Sequence, residues 1–163
     1  MGKSKKSTDK VANGYIDFDI INEKWHVYEL EDDSIIRFKT VLTAIFDAGP
    51  AEEETGISGM RKAFFSARLL SSVFSPKDIR GKKGKSWSIS ELEKFKTQTN
   101  LKFRQIKDGG IAEYDTKNSI ITIKSWLRQV DKTSKFDGFG NPAYIIRTES
   151  QILTVKKPST QKE

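Results

Sequence analysis

Residues 58–74, SGMRKAFFSARLLSSVF, decide how the chain is built, because their apolar spacing fits a helix. At 100° per residue, Met60, Ala63, Phe64, Ala67, Leu70 and Phe74 share one face. Phe65, Leu69 and Val73 form a second apolar stripe, with Arg61, Arg68 and Ser72 between the two. The spacing predicts one main helix over 58–74; with two apolar faces it is either mostly buried or packed on its own sheet and also on a partner. Ser75-Pro76 ends it, since the residue before a proline is steered away from helical backbone.

Outward from this segment the chain reads as strands. Residues 15–20 (YIDFDI) alternate. Residues 24–30 (KWHVYEL) lead through Glu31-Asp32-Asp33 into a second hairpin arm from Ile35 to about Phe46. Ala48-Gly49-Pro50 punctuates its end. Residues 77–87 (KDIRGKKGKSW) are a basic, Gly-containing loop. Ser90 and Glu93 have capping-box spacing, which predicts a short helix to about Thr97. Strands follow at 101–107, 111–116, 119–131, 143–149 and 151–156, with a turn at Asp108-Gly109-Gly110 and a loop over 132–142. The expected fold is α+β: mostly antiparallel β, six or more strands in a small barrel or half-barrel, with one main helix and one short helix. Residues 14–156 are expected to form a single domain. The basic stretch 1–13 and residues 157–163 read as disordered tails.

The strand text contains an echo. Ser34–Lys39 (SIIRFK) resembles Ser119–Lys124 (SIITIK), and Gln151–Lys156 (QILTVK) resembles both. Strand side chains alternate between faces. Ile36, Phe38, Ile121, Ile123, Leu153 and Val155 would share one face. Arg37, Lys39, Thr122, Lys124, Thr154 and Lys156 would share the other, continued by Trp126 and Arg128.

Composition narrows the chemistry. The 163 residues contain no cysteine and one histidine, so thiolate metal sites, disulfides and His-cluster sites are excluded. No cofactor or metal motif is read. The basic start is not followed by the apolar run of a signal peptide. No stretch approaches the roughly 20 apolar residues of a membrane span. The expectation is a cytoplasmic protein that does not engage a membrane.

The net charge of +7 is uneven. Residues 11–33 hold seven acids and one lysine, whereas residues 56–110 hold thirteen basic and four acidic residues. A basic middle suggests phosphate as a partner. Its centre is the loop Arg80, Lys82, Lys83, Lys85 and Trp87. Lysines there pair with phosphates, the glycines let the backbone approach a polyanion, and the indole stacks on a base. The alternative is a solvated loop with Trp87 in the core. A second candidate is the sheet face bearing Arg37, Lys39, Lys124, Trp126, Arg128 and Lys156, set against the ordinary polar face of an antiparallel sheet. A third is the loop around Phe136 and Phe139, which could stack on bases, plug a partner or fold back on the core.

Other signals are weak. Gly84-Lys85-Ser86 lacks the earlier glycine and preceding strand of a phosphate-binding loop. Asp17 and Asp19, near Glu31, Asp32 and Asp33, could bind Mg²⁺. Glu113-x-Asp115-x-Lys117 echoes a nuclease pattern, but Lys117 falls in a turn. His26, between Trp25 and Val27, reads as a packed strand residue. The reading leans away from an enzyme. It favours a non-enzymatic nucleic-acid-binding protein, with DNA and RNA not distinguished. The alternative is an assembly subunit that contacts a protein partner or itself through Phe65, Leu69 and Val73 or through Phe136 and Phe139. A metal-dependent nuclease is a minor third.

Overall fold

The computed structural model describes residues 14–50 and 61–158. Among these residues nine strands form two antiparallel sheets. The first sheet has the order β4 (Arg61–Phe74), β3 (Ile35–Pro50), β2 (His26–Leu30), β6 (Phe103–Lys107). The second runs β1 (Asp19–Asn22), β7 (Ile111–Asp115), β8 (Ser119–Phe136), β5 (Lys96–Gln98), with β9 (Pro142–Lys156) along the other side of β8. β8 is long enough to pair with β7 in its first half and β5 in its second.

The sheets are packed face to face. Tyr28, Leu30, Ile36 and Phe38 of the first meet Leu127, Val130 and Tyr144 of the second, with Leu101 from the chain before β6. A second cluster joins Leu42 and Ile45 to Tyr114, Ile121 and Ile123. Alternation sends every other β-branched or aromatic side chain inward from both sheets, so the apolar faces bury each other. The antiparallel β expectation holds. The barrel does not: the sheets are not closed, and β4 and β9 each keep an edge with no strand on it among the described residues.

The main helix expected over 58–74 is a strand where the chain is described. Residues 61–74 form β4, in register with β3 from Ile35↔Phe74 through Phe46↔Phe64. Residues 58–60 lie outside the described residues, as do both expected tails except Lys157 and Pro158. A run that is apolar on several sides satisfies the helical period and the strand period alike. The adjoining β-branched strand β3 offers a full ladder of backbone partners, and that decides the outcome.

The short helix exists but starts earlier. Ser88, not Ser90, is the N-cap: its side chain accepts the Glu91 N–H, and the Glu91 carboxylate accepts the Ser88 N–H. The helix α1 (Ile89–Leu92) continues as a 3-10 turn to Phe95. Two Ser-x-x-Glu frames overlap here. The one used buries Leu92 against Ala143 and Ile145 with Trp87 beside it, a hydrophobic staple across the cap.

The expected strands 143–149 and 151–156 are one strand, β9. Its register reverses the predicted face. Ile121 pairs with Thr154 and Ile123 with Ile152, so Leu153 and Val155 point outward and are exposed. Lys156 shares the face of Ile152, opposite to Lys124. The likeness between the three hexapeptides therefore does not carry a common orientation.

Candidate nucleic-acid interface

Two loops that are separate in sequence are laid against each other. The Gly81 N–H donates to the Gly140 carbonyl at 2.9 Å, and the Gly84 N–H to the Asp137 carbonyl at 2.7 Å. The Trp87 indole N–H donates to the Phe136 carbonyl at 2.9 Å. Asp137 folds the second loop: its carboxylate accepts the N–H groups of Phe139 and Asn141 at 2.8 and 2.9 Å. Gly140 completes the turn at φ +85°, where an L side chain is strained. Asn141 then accepts the Ser75 N–H at 3.0 Å, tying the loop to the end of β4. The result turns Phe136 inward under Gly81 and leaves Phe139 82% exposed. The glycines of the basic loop thus serve its packing on residues 136–140.

Between this loop pair and the free edges of the sheets lies a cleft of about 790 Å³. Ser71–Phe74 of β4 form one wall and Pro142–Tyr144 of β9 another; Arg80, Lys85, Trp87 and Phe139 complete it. Lys85 lies 4.3 Å from the Trp87 ring centroid and 3.2 Å from the Glu91 carboxylate. Hydrogen bonds from Ser88 and then Lys85 hold the exposed Glu91 carboxyl below its ordinary value. Lys135 sits over the same indole at 5.6 Å and over Phe95 at 4.2 Å. The Arg80 Nε–H donates to the Ser75 carbonyl at 2.8 Å, which fixes its guanidinium at the cleft. Lys82 and Lys83 are exposed on the same loop.

Tyr144, one of the cleft residues, belongs to a buried polar network that crosses the sheets. Its hydroxyl donates to the Asp32 carboxylate and lies 2.9 Å from the Ser34 hydroxyl, which is 2.7 Å from that of Ser75. Lys132 pairs with Asp32 at 2.9 Å. Burial alone would raise the Asp32 pKa. The hydrogen bonds from Tyr144, Lys132 and Ser34 outweigh it and hold the carboxyl below its ordinary value. Burial, followed by the Asp32 carboxylate, pushes the Tyr144 phenol up.

The predicted sheet face is divided. Arg37 and Lys39 lie on the outer face of the first sheet, 4.8 and 5.0 Å from the Trp25 ring centroid, and Lys39 pairs with Glu23 at 3.4 Å. Lys124 and Trp126 lie on the outer face of the second sheet, on the far side of the core. Arg128, at a bulge in β8, pairs with Glu149 at 2.9 Å. Lys156 shares neither outer face. Sequence reasoning missed Trp25, Lys135, Arg68 and Lys107. Lys107, Val27, Arg37 and Ser72 form one row across the first sheet, and Arg68 is exposed on the same face. Only the pairing of β2 with β6 brings Lys107 to Arg37, so no sequence signal could have found it.

Of the partner-binding candidates, Phe65 and Val73 are half-buried against the core clusters and Phe136 is half-buried under its loop. Leu69 and Phe139 are exposed. Asp115 pairs with Lys157, and no group of three or more His, Asp or Glu side chains is arranged to hold a metal among the described residues. His26 is buried, stacked on Phe38 at 5.1 Å, and its Nδ1 accepts the Gly109 N–H at 3.1 Å. No helix among the described residues is long and apolar enough to cross a membrane.

Fold and site together define an open antiparallel β-sandwich carrying a basic, aromatic-walled cleft between two free sheet edges. The chain matches no family model, no curated protein and no solved structure.

Proposed function

We propose that the protein binds single-stranded nucleic acid, without chemistry, at the cleft between loops 80–87 and 136–141. The observation that carries this reading is the meeting of Phe139, Trp87, Arg80 and Lys85 at one cavity. Its volume lies in the range of small-ligand sites and admits a nucleotide. Lys82, Lys83 and Lys85 neutralise phosphates. Exposed Phe139 offers a ring face to an unstacked base, as single-strand binders commonly do. Trp87, its N–H engaged by Phe136, is a wall rather than a hydrogen-bond reader. Arg37 and Lys39, with Trp25, extend the basic surface on the first sheet.

The test is fluorescence anisotropy of labelled single-stranded DNA, RNA and duplex DNA at about 50 and about 200 mM salt. Three phosphate contacts to a single strand predict a loss of about 20-fold across that interval, from a slope of roughly 0.7 per phosphate. Lys82→Glu/Lys83→Glu is expected to flatten the slope and weaken binding. Absence of binding to every probe at the lower salt overturns the reading.

A further inference from the structure

β4 is a terminal strand of its sheet, and its far edge carries no strand among the described residues. Edge strands are usually blunted by proline, bulges or several charges. β4 opens on the charged pair Arg61 and Lys62; beyond them residues 63–74, AFFSARLLSSVF, have no proline, no glycine and one charge, Arg68. Both register shifts between β3 and β4, at Leu42/Ala44 and at Asp47/Pro50, put the extra residue in β3, so β4 alternates without interruption. By contrast β9, a long edge strand of the second sheet, carries Pro142, Arg147, Glu149 and Lys156. Phe64 and Phe74, at the two ends of the apolar run of β4, are 60% and 55% exposed.

The order of these residues says what covers them. Read outward from Leu69, β4 is partly symmetric: Ser66 matches Ser72 and Phe64 matches Phe74, Phe65 stands against Val73 and Ala67 against Ser71, and Arg68 stands against Leu70. A two-fold antiparallel pair of identical strands sets residue i against a fixed sum minus i. A sum of 138 gives these partners, with Leu69 opposite itself. Faces agree as well. Phe64, Ser66, Arg68, Leu70, Ser72 and Phe74 lie on the outer side of the sheet, and the odd-numbered residues lie on the inner side. The register sets Phe64 against Phe74, Ser66 against Ser72, apolar Phe65 against apolar Val73 and Leu69 against itself, with small Ala67 against small Ser71. Arg68 meets Leu70 and not another arginine. A closed two-fold interface requires this self-complementarity.

We infer that a second copy of this chain pairs antiparallel along β4 in the register centred on Leu69, joining the two first sheets into one continuous sheet of four strands from each copy. The partner's Phe64–Ala67 would then run beside Phe74–Ser71, next to the cleft.

The absence of cysteine makes a direct test possible. In the inferred register, residue 69 faces its own copy at a Cα separation of about 4.5–5.5 Å, within disulfide reach. Residue 70 lies diagonal to its copy at about 7–8 Å, beyond that reach. Leu69→Cys and Leu70→Cys would be oxidised separately, with no nucleic acid present, so the result is independent of the binding proposal. Efficient covalent dimer from Leu69→Cys and little from Leu70→Cys is expected. Light scattering of the unmodified chain should give twice 18.5 kDa. Leu69→Lys should return it to the monomer mass with an unchanged circular-dichroism spectrum. A monomer at all concentrations up to several hundred micromolar overturns the inference. So does a dimer that cross-links better at residue 70 than at 69.

Discussion

A Cβ at Gly84 would lie 1.9 Å from the carbonyl oxygen of Phe136, and one at Gly81 would lie 2.5 Å from Cζ of the same residue's ring. The basic loop is therefore seated on residues 136–140 by contacts that leave no room for a methyl group. Gly84→Ala must displace backbone and is expected to cost about 1–3 kcal/mol in urea unfolding. It should also weaken nucleic-acid binding by shifting Lys85. Gly138→Ala, whose Cβ would meet nothing within 4 Å, is the matched control and should leave stability unchanged.

Phe139→Ala separates binding from packing. The ring is 82% exposed, so the change in unfolding free energy should stay within about 0.5 kcal/mol. Affinity for a short single-stranded oligonucleotide should fall by the about 1–3 kcal/mol of one stacking partner. Large destabilisation with intact binding would reverse the assignment.

Tyr144→Phe tests the network beneath the cleft. It removes a donor from Asp32 and leaves a largely buried carboxylate less satisfied, for an expected loss of about 1–3 kcal/mol at neutral pH. The folded Asp32 pKa is held below its ordinary value, so its contribution is present above about pH 3.9 and is lost as pH falls through the folded value. The difference between the two proteins should shrink in denaturant titrations carried below about pH 4.

His26 behaves in the opposite sense to a paired histidine. Burial lowers its pKa, and the Asp108 carboxylate at 3.5 Å only partly offsets this. A folded value below the unfolded one means that the unfolded chain binds the extra proton first. Stability should be intact above about pH 6.5 and decline as pH falls below it. Denaturation midpoints at pH 7.5 and 5.5 should differ for the wild type. His26→Asn, which keeps an acceptor for the Gly109 N–H, should reduce the difference.

Much of the β architecture was legible from local pattern. Alternation placed β2, β3, β6, β7 and β8 within a few residues, because a half-buried strand writes its two faces directly into the chain. The segment 61–74 was misread because its apolar residues satisfy two periods, and only the ladder with β3 selects between them. At the site, Arg80, Lys85, Trp87 and Phe139 were singled out individually as basic-loop or exposed-aromatic residues. Their convergence could not be read, since it depends on hydrogen bonds between loops more than fifty residues apart in sequence, Gly81 to Gly140 and Gly84 to Asp137. Lys39 and Lys124 look equivalent in sequence yet lie on opposite outer faces of the sandwich.

By itself the sequence determined the chemistry at hand: no thiol, one imidazole, a strongly basic middle with aromatics near it, and serine and phenylalanine placed symmetrically about Leu69. These are properties of composition and order, and no fold is needed to state them. Tertiary structure alone decided which side of each sheet is outward, which loops share a cleft, and that β4 stands at an edge. Those outcomes depend on strand pairing between distant segments, and the free energy of such pairing belongs to both partners at once.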